Sequence, residues 1–153
     1  MMTQITGETV KSGIIRQLAS IFPCATIFRD AINPALIQYP NFFVTQISAE
    51  TREIKLGVWR IDYLIEVRYR LQANIEEAVN LNTQLEAVAL QIIAGLEYIE
   101  VENKKYKLYN TRYEKPDGIL LFFANITILA EKPPAPVELQ NALDVAVEIK
   151  RED

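Results

Sequence analysis

The most regular pattern in the chain runs from Val58 to Leu71. Trp59, Ile61, Tyr63, Ile65, Val67, Tyr69 and Leu71 alternate with Arg60, Asp62, Leu64, Glu66, Arg68 and Arg70. A period of two predicts a strand with one apolar, aromatic face and one mostly charged face. Such a strand far exceeds the usual ~5–6 residues. At roughly 3.3 Å per residue it spans beyond about 40 Å, more than a compact domain of this size needs. Its surplus is therefore expected to project from the body as a long hairpin formed with residues 41–54.

A period of three to four residues marks two helices. In the first, Val10, Ile14, Leu18 and Ile21 form the stripe, Thr6 is the expected N-cap and Pro23 stops the helix at Phe22. Lys11, Arg16, Gln17 and Ser20 form its polar face. The second is expected over Asn74–Ala94, with Ala78, Leu81, Leu85, Val88 and Ile92 inward, an Asn74/Glu77 capping pair and Gly95 as the C′ residue. Ala25–Phe28 and Phe42–Ile47 read as strands joined by a loop over Asp30–Pro40. Residues 51–57 read as a hairpin tip, although Ile54 and Leu56 fit an extension of either strand.

Beyond the second helix, Tyr98–Glu102 turns at Asn103-Lys104 into Lys105–Glu114. Lys115-Pro116-Asp117-Gly118 is a turn, and Ile119–Ala130 is an apolar, central strand. The expected fold is α+β: a mainly antiparallel sheet with both helices on one face, a long projecting hairpin and a C-terminal arm. Residues 1–130 form a single domain. Residues 131–153 form a proline-rich linker (Pro133, Pro134, Pro136) and an acidic arm. Leu139, Ala142, Leu143 and Ala146 of the arm fit a helix, while Leu143, Val145, Val147 and Ile149 fit a strand.

Composition narrows the chemistry. Among 153 residues there is no histidine and one cysteine. A Ser-His-Asp triad, a Cys-His dyad, a histidine base and a histidine-ligated zinc site are thereby excluded. Cys24 alone makes neither an internal disulfide nor a cysteine-rich metal site, and reads as a small buried residue. The net charge is −4, yet residues 131–153 hold six acids and three bases, so the body is nearly neutral. That balance gives no basic excess for nucleic acid. No signal peptide is expected from the N-terminal residues, and no apolar run approaches the ~20 residues of a membrane span. The expectation is a soluble, intracellular domain.

The remaining candidates for chemistry have plainer readings. Glu76-Glu77 is a carboxylate pair, but its position fits helix capping. Asp62 and Glu66 lie among Arg60, Arg68 and Arg70, a pattern typical of cross-strand pairing or an interface. Lys104, Lys105 and Lys107 around Tyr106 read as a solvated hairpin tip. The scattered glycines form no phosphate-binding loop. No catalytic residue, cofactor site or metal site is expected. Large apolar side chains on a projecting hairpin, Trp59 above all, mark either core or a protein interface.

The order of segments resembles a known family. An amphipathic helix leads to FPCATIFRDAI, then YPNFFVTQI (with Pro40, Phe42, Phe43 and Val44), then WRIDYLIEVRYRL. A helix with LNTQLEAVALQI and the closing strand GILLFFANITI follow. Over roughly residues 5–130 this resembles the tail terminator, or tail completion, proteins of contractile-tailed phages and phage-tail-like particles.

The resemblance implies a structural virion protein with no enzymatic activity. It implies a homo-oligomeric, hexameric ring that caps the tail tube and ends the growth of tube and sheath. Its implied partners are the tube protein, the sheath protein and, in particles with heads, the head-tail connector. It implies neither specific nucleic-acid binding nor membrane binding. Assembly is expected in the host cytoplasm. Ring closure needs two different patches on each subunit. The expected interface residues are Trp59, Arg60, Asp62, Arg68, Arg70, Leu143, Val145 and Val147. The alternatives are a head-tail connector or baseplate adaptor, and a small-ligand-binding α+β domain.

Overall fold

A computed structural model describes residues 5–29, 37–72, 74 and 80–131. Helix α1 (Gly7–Ile21) starts where predicted. The Thr6 side chain accepts from the Thr9 backbone N–H, and the Thr9 hydroxyl oxygen accepts from Thr6 N–H, so two otherwise orphaned donors are satisfied. The helix ends at Ile21, with Phe22 N–H bonded to Leu18 O at 2.8 Å.

Strands β1 (Thr26–Phe28), β2 (Asn41–Lys55) and β3 (Val58–Arg70) follow, then helix α2 (Leu81–Gly95). The chain continues through β4 (Tyr98–Val101), β5 (Lys104–Lys107), β6 (Tyr109–Glu114), a 3-10 turn at Pro116–Gly118 and β7 (Leu120–Glu131). The main sheet has the order β1-β2-β3-β7-β6, and β4-β5 forms a small second sheet. Among the described residues the β1-β2 pair alone is parallel; the other pairs are antiparallel. The fold is α+β, as expected.

The core lies on one face of the main sheet. Tyr63, Ile65, Val67 and Tyr69 of β3 stand in register with Ile126, Ala124, Phe122 and Leu120 of β7. Phe42 and Val44 complete these rows from β2. Val10, Ile14 and Leu18 of α1, with Leu85, Ala89 and Ile92 of α2, close over them, and Ile99 and Val101 of β4 join the same cluster. Every large side chain of this layer is removed from water, which supplies the main driving force for folding.

Several expectations change in detail. Asn80 lies in the left-handed region (φ 55°, ψ 42°), so the second helix starts at Leu81 and does not run unbroken from Asn74. The Glu77 and Glu76 capping assignment falls outside the described residues. Gly95 is the last helical residue, and a Cβ there would meet Ile21 Cδ1 at 2.2 Å. Its bare backbone thus serves the close approach of α1 and α2, where a C′ role was expected. Lys105–Glu114 is two strands, because Leu108 leaves the ladder, turns into the core at 4% exposure and bonds Glu97 O through its N–H. The β4-β5 turn sits at Glu102-Asn103, both with positive φ, one residue earlier than expected.

Two surface assignments also change. Cys24 is exposed. It sits in the turn after Pro23, beyond the helix stripe that would have carried it inward. Lys11 is 7% exposed and pairs with Glu8 at 3.5 Å, while Arg16 and Gln17 donate to Glu100 O and Gly95 O. The polar flank of α1 therefore ties the helix to β4 and α2 instead of facing only water.

Candidate interaction surface

The β2-β3 hairpin pairs from Asn41↔Arg70 to Lys55↔Val58, with register shifts between Gln46 and Ser48 and between Glu53 and Lys55, and turns at Leu56-Gly57. Gly57 has φ +79°, a conformation that side chains resist. Residues 51–55, expected in the tip, thus belong to β2. Beyond Val44, every residue of β2 is exposed. Since β1 pairs only with Asn41–Phe43, the outer edge of β2 from Val44 to Lys55 has no neighbouring strand among the described residues. An open edge of this kind is a template for pairing with another chain.

Strand alternation divides the expected interface residues. Trp59 shares the helix-facing side with Tyr63, is half-buried and lies outside the core cluster. Arg60, Asp62, Arg68 and Arg70 point to the opposite, outer side. Arg60 and Arg70 stand ten residues apart on one strand, roughly 33 Å by strand rise, so they are separate neighbourhoods of one face. Leu143, Val145 and Val147 lie outside the described residues.

At the hairpin end, Asp62 is a hub. Its Oδ1 accepts from Arg60 Nε at 3.1 Å, Tyr109 OH at 3.2 Å and the Thr127 hydroxyl. The Thr127 hydrogen bond, with help from Arg60 and Tyr109, holds the Asp62 carboxyl below its usual range. Further along, Glu66 pairs with Arg68 at 3.2 Å. Arg70 Nε is buried with no hydrogen-bond partner among the described residues. Arg112 stacks over Phe123 at 4.4 Å.

These contacts order the outer face through ion pairs, hydrogen bonds and one guanidinium over a ring. Tyr109 and Thr127 were not singled out in the sequence; the β3-β7 register, which sets Asp62 opposite Thr127, is the signal that finds them. Among the described residues, no group of three or more His, Cys, Asp or Glu side chains converges to hold a metal. No helix among them is long and apolar enough to cross a membrane.

A mainly antiparallel sheet covered on one face, with an open edge and an ordered polar face, has the surfaces of an assembly protein. A family model described as phage tail terminator protein matches residues 9–138. The chain belongs to that family, and is therefore a structural, tail-associated protein that contacts other tail proteins. A comparison with curated proteins finds no match. One solved structure aligns over 87% of this chain and 100% of its own, at 10% identity and a TM-score of 0.40.

Proposed function

We propose that the protein forms a homohexameric ring on the end of the tail tube. The ring stops addition of tube and sheath subunits, and its free side offers a docking surface, for a head connector in particles that carry a head. The observation that carries this reading is the β2-β3 hairpin: β2 is exposed throughout Thr45–Lys55 and presents an open edge. A hairpin longer than its own core requires gives each subunit a patch to lay on its neighbour. The second patch a closed ring needs differs from the first.

Residues 1–130 act as the folded body and residues 131–153 as linker and arm. At the hairpin end, Arg60 and Asp62 form a contact region on the outer side and Trp59 a separate one on the helix-facing side. Arg68 and Arg70 form another. The nearly neutral body suits a ring through which DNA must pass without being gripped.

Negative-stain micrographs of the purified protein, alone and mixed with tail tubes, test this reading. Rings with a central hole of tube width are expected. A chain that stays monomeric at micromolar concentration and does not bind tubes contradicts it.

A further inference from the structure

The outer face at the hairpin end carries a groove of about 540 Å³, lined by Arg52, Ile54, Arg60, Lys104, Tyr106 and Leu129 among others. Strand register sets Arg52 directly opposite Arg60, and Arg60 opposite Leu129. Like charges facing each other across a strand pair destabilise the sheet. Arg60 is answered by Asp62 on its own strand. Arg52 and Lys104 have no ion pair among the described residues. Beside these cations lie Ile54, 46% exposed, and Leu129, 60% exposed. Cations next to apolar surface fit a segment that is both acidic and apolar.

The chain contains such a segment. Residues 137–149 (VELQNALDVAVEI) hold three acids, no base and eight apolar residues. Strand β7 ends at Glu131, opposite Val58 beside the hairpin turn and two residues past Leu129. Pro133, Pro134 and Pro136 then restrict φ to about −65°. Five linker residues extended at ~3.1 Å each span roughly 15 Å. That stiffness disfavours the sharp reversal needed to re-enter the groove of the same chain.

We infer that residues 137–149 of one copy dock in this groove of a neighbouring copy. Glu138, Asp144 and Glu148 meet Arg52, Lys104 and Arg60, and the intervening apolar side chains cover Ile54 and Leu129. Donor segment and groove are different patches, so the contact repeats around a ring. The inference rests on the proposed ring.

Light scattering on the full chain gives the assembly mass and its concentration dependence. A chain ending at Glu131 keeps every core residue, since the cluster spans Val10–Ile128. It is expected to lose the ring. In the full chain, Arg52→Glu with Lys104→Glu should weaken assembly at least about tenfold in midpoint concentration. Glu138→Lys, Asp144→Lys and Glu148→Lys together should do the same, and combining both sets should restore it.

A full chain that forms rings while the shortened chain forms them equally well overturns the arm-in-groove contact and leaves the ring standing. Reversals that leave assembly unchanged also overturn it. A monomeric full chain overturns both. If the shortened chain fails to fold, restoration by the combined reversals decides.

Discussion

Over Tyr63–Tyr69 the inner face of β3 is sealed by both helices, and Phe42 and Val44 extend that sealed surface into β2. Over Val58–Asp62 the same strand is only half-buried, and the paired stretch of β2 is exposed throughout. Backbone pairing continues through both regions, to Lys55↔Val58 on one side and Val58↔Glu131 on the other. What differs is the cover. Hydrogen-bonded strands persist without a core above them, so long as a core elsewhere anchors the sheet. The anchored half determines whether the chain folds. The uncovered half leaves Thr45–Lys55 of β2 exposed, available to a neighbouring subunit.

Substitutions on the two sides should therefore diverge. Phe122→Ala, under the helices at 1% exposure, is expected to cost about 3–5 kcal/mol in urea unfolding. A loss below about 1 kcal/mol would mean that the covered half is not the anchor.

Asp62→Asn, at the boundary, removes charge from three hydrogen bonds in a part-exposed site. It should cost about 1–2 kcal/mol. Because the folded Asp62 pKa lies below its unfolded value, its contribution is present above the unfolded pKa of about 3.9. It is lost as pH falls through the folded value. The stability gap between the parent and Asp62→Asn should shrink below about pH 4, and a gap independent of pH there would remove Asp62 as the hub.

Thr6→Ala unties the first turn of the covering helix and should cost about 1 kcal/mol. A loss near zero would show that the cover is held by packing alone. Smallest of all, Leu56→Asp at the turn, where Leu56 is 95% exposed, should move stability by no more than about 0.5 kcal/mol. The same variant should still bind tail tubes more weakly, which separates a contact role from a folding role.

Much of the covered half was legible in the sequence, because alternation in β3 and the α1 stripe directly report which side chains face inward. The uncovered half was less so. Register shifts at Gln46/Ser48 and Glu53/Lys55 interrupt the β2-β3 pairing. The first switches the parity of β2: Phe42, Val44 and Gln46 face the helices before it, whereas Ala49, Thr51 and Glu53 do so after it. A one-residue slip moves a whole row to the other face, and no residue pattern in TQISAETREIK announces it. Hence Arg52 was read only as part of a tip, and its place opposite Arg60 emerged from the register.

The start of α2 was hidden for a related reason. The apolar stripe continues upstream of Leu81 in sequence, but Asn80 takes a left-handed backbone that ends it. Asparagine tolerates that conformation better than most residues. Trp59 and Arg60 were grouped as one contact because they are adjacent in sequence, although a strand sends neighbours to opposite faces.

If the uncovered half of the sheet serves a ring that ends the tail tube, loss of the protein removes the stop on tube growth. The most direct measurement is the length distribution of tubes made by particles lacking this protein. Overlong, irregular tails are expected, with uniform length restored when the protein is supplied. Tails of normal, uniform length without it would contradict a ring that ends the tube, and if they also lacked heads they would point to a connector role instead.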